Sequence, residues 1–167
     1  DKVRDSFLFL CSTGLRFEDM FSVRKENVLK NSIKIKIKKT GQILNTLLLD
    51  QTKSILEKYD YKLPRISSTN FNKYIKEIGE LAGIKESVIQ NTYKSGKEIS
   101  VKRKKFEMIT SHTARRSFAT NMYHRGISPV MIMSITGHKK ESTFLKYIKI
   151  TNEEAVKVIS MSYKNVS

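Results

Sequence analysis

Cysteine, histidine, proline and tryptophan are nearly missing from this chain of 167 residues, which holds one Cys, three His, two Pro and no Trp. Cys11 is alone, so no intrachain disulfide can form and nothing calls for an oxidising compartment. It falls on the apolar stripe Val3, Phe7, Leu8 and Cys11, where a small core residue is expected. One cysteine and three scattered histidines offer no ligand pair at metal spacing, so neither a metal nor a cofactor is expected. Long hydrophobic runs are lacking too. Phe7 to Cys11 is far shorter than the ~20 residues that span a bilayer, which argues against a membrane partner. Asp1-Lys2-Val3-Arg4-Asp5 passes directly into an amphipathic pattern without a secretory signal, and a start without methionine is expected of a piece of something longer. Acidic residues are scarce beside basic ones, 16 against 32, for a formal charge of +16. Such a field favours polyanions, nucleic acid first, with a merely solvated basic surface as the ordinary alternative.

What is present suits one folded domain over 1–167, since 39% of residues are hydrophobic and no repeat or low-complexity linker breaks the chain. The spacing predicts a first helix ending near Gly14, then a short one from Phe17 to Ser22. Ile33, Ile35 and Ile37 alternate with Lys34, Lys36 and Lys38, the period of a half-buried strand. Lys39-Thr40-Gly41-Gln42 reads as a turn and Ile43 to Leu49 as the returning strand, giving a hairpin with a basic, wet face. Helical patterning resumes after Asp50 with Ile55 and Leu56, and again from Phe71 with Tyr74, Ile75, Ile78, Leu81 and Ala82. Residues 86–109 read as a loose hairpin or extended loop ending in the run Lys102-Arg103-Lys104-Lys105. Beyond them the chain reads as helical: Ser111, as N-cap, opens a helix to His124 that buries Ala114, Phe118, Ala119 and Met122. Ser128-Pro129 opens one carrying Val130, Ile132, Met133 and Ile135 that stops at Gly137. A short helix from Glu141 carries Tyr147. Thr151 and Glu154 form a capping box for a last helix. The class is therefore α+β, mostly α, with a small antiparallel sheet.

Chemistry concentrates in the last third. His112 and Arg115, three apart, share a helix face; Gly137-His138 follows, and Tyr147 stands nine residues after His138. An arginine fork grips two oxygens of an anion, an imidazole moves protons near neutral pH, and a tyrosine can be a covalent nucleophile. Upstream, Thr13-Gly14-Leu15-Arg16 sets a further arginine after a glycine break, with Asp19 three residues on. Singly, each has an ordinary explanation: a satisfied core histidine, a surface charge, an Arg–Asp brace, a turn lysine, an aromatic anchor.

Together, TGLRFED (13–19), KTGQ (39–42), HTARRSFATNMY (112–123) and GHKKESTFLKY (137–147) resemble the tyrosine recombinase (phage integrase) family, in family order and over nearly the whole chain. The resemblance implies the catalytic domain of a site-specific DNA recombinase, without the family's N-terminal clamping domain. It implies Arg16 and Arg115 as catalytic arginines, Lys39 as the hairpin lysine that protonates the departing 5′ oxygen, and Asp19 as support for Arg16. His112 would be the general base, His138 a partner of the phosphate or the tyrosine, and Tyr147 the nucleophile forming a 3′-phosphotyrosyl bond without metal or ATP. Lys36, Lys38, Lys102, Arg103, Lys104, Lys105 and Arg116 are candidate contacts to double-stranded DNA. Self-association into a tetramer on DNA, through residues 152–167 packing in trans or else on their own core, is a further expectation. So is a cytoplasmic, nucleoid-associated setting in a prokaryote. Two other readings stay open on sequence: a type IB topoisomerase-like enzyme, and a helix-turn-helix regulator without chemistry.

Overall fold

Helix α1 (Lys2–Thr13) buries Val3, Phe9, Leu10 and Thr13 and stops at Gly14, whose φ of 66° lies in the left-handed region. Glycine is needed there twice over, because a Cβ would sit 2.4 Å from the Phe118 ring. The computed structural model describes residues 1–37, 41–94 and 97–148, together with 153, 155, 156 and 160. The expected turn lysine Lys39, its neighbour Lys38, and the capping box of Thr151 and Glu154 lie outside the described residues. A single helical turn, α2 (Phe17–Met20), follows the glycine break.

Strands β1 (Ser32–Lys36) and β2 (Ile43–Leu47) pair antiparallel, with Ile33 opposite Thr46 and Ile35 opposite Leu44. The alternation works as expected: Ile33, Ile35, Leu44 and Thr46 are buried, whereas Lys34 and Lys36 are exposed. The return strand ends at Leu47 rather than Leu49, because Leu49 is the N-cap of α3 (Asp50–Lys58), which buries Ile55 and Leu56. Where α1 meets α3, the buried Asp5 carboxylate accepts from Lys58 Nζ at 2.6 Å and Tyr59 Oη at 2.8 Å.

Helix α4 (Ser68–Leu81) is capped by the Ser67 side chain, which accepts from the Asn70 N–H. Its apolar stripe is shorter than expected. Phe71 and Ile75 are buried, but Tyr74, Ala82 and above all Leu81 are exposed. At its far end the packed face runs through Gly79, where a Cβ would meet Ile109 at 2.6 Å. Leu81, two residues on, points to the far side.

Of the hairpin and the extended loop that the sequence leaves open over 86–109, the structure forms the hairpin, and Lys105–Met108 follows it as a 3-10 turn. Strands β3 (Ser87–Lys94) and β4 (Lys97–Lys104) run antiparallel from Ser87 opposite Lys104 to Lys94 opposite Lys97. Every residue of β4 is exposed, so the backbone ladder and the β-forming Val88, Ile89, Ile99 and Val101 hold the ribbon rather than a core. The two hairpins are separate sheets.

Three helices follow the ribbon: α5 (Ser111–His124), α6 (Pro129–Thr136) and α7 (Glu141–Ile148). Thr110, not Ser111, caps α5; Thr113 Oγ1 accepts from the Thr110 N–H at 3.0 Å, and the Ser111 N–H donates to Asn72 Oδ1 at 2.9 Å. Ala114, Phe118 and Ala119 are buried as expected and Met122 is half-buried. Ser128 and Pro129 open α6 and Gly137 closes it with φ 69°, but Val130 points to solvent. The core has two parts. The larger is built on Phe9, Leu10, Leu15, Met20, Leu56 and Phe71. The smaller holds Phe118, Ala119, Ile132, Phe144 and Ile148. Helix α5 contributes to both, through Ala114 and Phe118.

Candidate active site

Arg115 is 3% exposed, an unusual burial for a guanidinium. Helix α5 packs on α1 and α6, so the side chain enters where those two helices end on their glycines. Its Nη1 donates to the Gly14 carbonyl at 2.6 Å, and Nη2 donates to the Thr136 carbonyl. No carboxylate neutralises it within ion-pair distance among the described residues. A guanidinium has five N–H groups. Two are used as anchors, which leaves donors for an anion.

Arg16 comes from the other side, at the start of α2. Its Nη2 donates to the Gly137 carbonyl at 3.4 Å, and its Nη1 stands 3.8 Å from Asp19 Oδ2, an ion-pair distance. Burial raises the Asp19 carboxyl above its usual range, against the charges of Arg16 and Arg115. Burial, then the charge of Arg16, lowers the Arg115 guanidinium to about 10, so it remains a cation at neutral pH. Two cations share a site with one partly compensating acid, an arrangement completed by an anion.

His138, just past the Gly137 cap of α6, and Tyr147 on α7 reach the same place. The His138 ring packs against Phe144 at 5.3 Å and Tyr147 at 5.1 Å between centroids. Burial, then the charges of Arg115 and Arg16, lowers its imidazole to about 4, which keeps it neutral at pH 7. Tyr147 Oη donates to the main-chain carbonyl of His112 at 3.4 Å. Burial holds the phenol above its usual value, outweighing Arg115, Arg116 and Arg16. The phenol is therefore protonated at rest, and any attack by its oxygen needs a proton acceptor.

The structure thus brings together Arg16, Asp19, Arg115, His138 and Tyr147, with the His112 backbone among them. A cleft of about 520 Å³ is lined by Arg16, Asp19, Ile37, Ser111, His112 and Arg115. The His112 imidazole is exposed at that cleft. A larger cleft, about 830 Å³, lies between the β3–β4 ribbon and α5 and is lined by Lys105, Arg116, Thr113 and Asn121 but by none of those five. Lys36 and Arg116 are exposed; Lys102, Arg103 and Lys104 stand exposed on β4, and Lys105 at the 3-10 turn that follows it. Sequence reasoning missed Thr136. It looks like a helix-end residue before Gly137, and only the fold reveals that its carbonyl and hydroxyl both face the site.

Residues 2–154 match the model of the phage integrase family. The chain is 27% identical over 171 residues to the tyrosine recombinase XerA of Pyrococcus furiosus, covering 90% of this chain and 52% of that protein. It therefore spans about half the length of that relative. Among solved structures, the XerA recombinase superposes with a TM-score of 0.65 at 16% identity, covering 97% of this chain and 63% of that one. The XerH recombinase bound to a palindromic difH substrate in a post-cleavage complex gives 0.66 at 17% identity, over 96% of this chain and 46% of that one. A lambda integrase dimer bound to a core site gives 0.57 at 17% identity, over 89% of this chain and 52% of that one. These likenesses establish a shared fold.

Proposed function

The chain belongs to the phage integrase family, and on that premise we propose that it is the catalytic domain of a site-specific DNA recombinase acting through Tyr147. The carrying observation is that two guanidiniums and a phenol converge on the carbonyls of Gly14, His112, Thr136 and Gly137, with the His138 imidazole packed on the phenol and bonded to the Thr136 hydroxyl.

A phosphodiester resists attack because its non-bridging oxygens are negative. Arg16 and Arg115 neutralise them as charge builds, and their anchoring to backbone carbonyls means little reorganisation is needed at that moment. Tyr147 Oη attacks phosphorus, the P–O5′ bond breaks, and a 3′-phosphotyrosyl bond forms. That bond keeps the energy of the broken diester, so a 5′-hydroxyl from another strand can reverse the step without ATP. Asp19 braces Arg16. Lys39 supplies the proton for the 5′ oxygen; Ile37, two residues before it in sequence, lines the cleft. His112 and His138 are the two proton handlers of this reading: His112 lines the cleft with its backbone carbonyl on the phenol, and the His138 ring packs against Tyr147.

Double-stranded DNA is the partner. The formal charge of +16, the exposed Lys36 and Arg116, and the run 102–105 support backbone contacts. Self-association on DNA through residues 152–167 and a prokaryotic, nucleoid-associated setting belong to the same proposal. Duplexes carrying 5′-bridging phosphorothiolates, whose cleavage is irreversible, test it. A DNA-linked peptide containing Tyr147, absent from Tyr147→Phe, is the expected result. An adduct that survives in Tyr147→Phe would defeat the assignment.

A further inference from the structure

The β3–β4 ribbon holds its order without a core, and every residue of β4 is exposed. Four consecutive β3 residues, Val88 to Asn91, line the cleft against α5, so the β3 edge fronts the body and β4 stands away from it. Cross-strand register decides which side chains share a face. On one face Val88 and Gln90 are half-buried. The other pairs Ile89 with Lys102, Asn91 with Ser100 and Tyr93 with Glu98, and all six are exposed, Ile89 at 73% and Tyr93 at 76%. Large side chains held out in water on a ladder without a core suit a surface that a partner covers. Charge says which partner. Residues 87–104 carry Lys94, Lys97, Lys102, Arg103 and Lys104 against one acid, Glu98. Protein interfaces are depleted in lysine, whereas a phosphate backbone attracts it. Lys105 at the foot of the ribbon and Arg116, the neighbour of Arg115, line the intervening cleft, so cations continue from the ribbon to the candidate active site.

Shape and chemistry then choose the groove. Eight residues per strand make an arm about 26 Å long. A major groove about 12 Å wide admits a two-stranded ribbon. At the middle of the exposed face, Ser100 Oγ donates to Asn91 Oδ1 at 2.8 Å. That bond spends the serine proton and fixes which end of the amide is oxygen. Oδ1 keeps a second lone pair, and the Nδ2 protons have no acceptor among the described residues. An amide so fixed, with one acceptor and one donor to spare, matches N6–H and N7 on the major-groove edge of adenine. We propose that β3–β4 is an arm that enters the major groove of double-stranded DNA, and that Asn91, oriented by Ser100, is a specificity-determining residue that reads adenine there. This rests on the proposed function only in taking duplex DNA as the partner. Lys102 and Lys104, on the same face toward the foot, meet phosphates and carry no sequence information. Glu98, opposite Tyr93 and nearer the tip, is tolerated in the groove where its carboxylate accepts from cytosine N4.

A randomised duplex pool tests the arm, selected for binding to the whole chain carrying Tyr147→Phe so that cleavage plays no part. The sequenced bound fraction is expected to specify adenine at one position or more. Adding Asn91→Ala should remove that preference, about 5- to 150-fold for one bidentate pair, and leave the other positions alone. Ser100→Ala should weaken the same preference. Lys102→Gln should instead lower affinity alike for all sequences and reduce the salt slope by about one. Replacing the selected adenine by 7-deazaadenine removes only N7, so it should weaken binding by the parent chain and not by the Asn91→Ala chain. Asn91 and Ser100 are exposed, and both variants should melt like the parent. Three results overturn the inference: duplex binding by the parent without sequence preference, an Asn91→Ala chain with the preference intact, or a loss that falls on self-association instead. If the parent selects through Asn91 while wild type forms no Tyr147 adduct, the proposed chemistry falls and the arm stands. A chain that binds no duplex overturns both.

Discussion

Arg115 donates to the carbonyl of Gly14 across 101 residues of chain, so one hydrogen bond joins the helix carrying the second arginine to the break that precedes the first. Lysine cannot copy this. Its single ammonium cannot hold the Gly14 and Thr136 carbonyls and also present a fork to a phosphate. Arg115→Lys should slow phosphotyrosyl adduct formation by about 10²–10³, the scale seen when one charge-stabilising donor is lost. It should also cost about 1–3 kcal/mol of stability through the carbonyl left unpaired, measured by denaturant melts.

Gly14→Ala should be worse for the fold than for any single contact. A left-handed φ costs a non-glycine residue roughly 1 kcal/mol, and the new methyl would collide with Phe118, adding about 1–3 kcal/mol of overpacking. Because the Gly14 carbonyl holds Arg115, adduct formation should drop in parallel. A Gly14→Ala variant that melts and cuts like wild type would contradict the geometry.

His138 should titrate near pH 4 in proton–nitrogen correlation spectra of the folded protein. The sign for stability follows. An unfolded chain protonates this histidine near pH 6.5, the native state only near 4, so native stability should decline as pH falls from about 6.5 to 4. His138→Gln should flatten that part of the stability–pH curve.

Asp5 governs a lower window. Burial pushes its carboxyl up, but hydrogen bonds from Lys58, Tyr59 and Arg4 outweigh it and hold the group at about 2. Its contribution is complete above the ordinary carboxylate range and disappears as pH falls toward 2. Asp5→Asn, at 4% exposure, should cost about 1–3 kcal/mol at pH 7, with melting differences shrinking in acid.

Patterns within an element were legible in the sequence, and relations between elements were not. Ile33, Ile35 and Ile37 announced a strand because side chains alternate with period two, and Gly14 and Gly137 announced helix ends because both take left-handed backbone. The resemblance placed Arg16, Arg115, His138 and Tyr147 in one site, and the fold brings them together. Leu81 misled because apolar spacing marks a possible face, while the packed face is set by what lies opposite, here Ile109 against Gly79. The hairpin of β3 and β4 is hard to tell from an extended loop in the sequence, since its order comes from a backbone ladder that leaves little hydrophobic trace. Thr136 was invisible because its role comes from a hydroxyl and a carbonyl pointing at partners on other segments.

The split core has a thermal consequence. Arg16 and Asp19 ride on the larger cluster, whereas His138 and Tyr147 are carried by helices whose buried anchors are essentially Ile132, Phe144 and Ile148 against Phe118 and Ala119. So few side chains hold the half that carries His138 and Tyr147 that warming should detach it while the rest of the molecule is still native. The proposed strand cleavage would then switch off several degrees before circular dichroism registers any melting, and return on cooling.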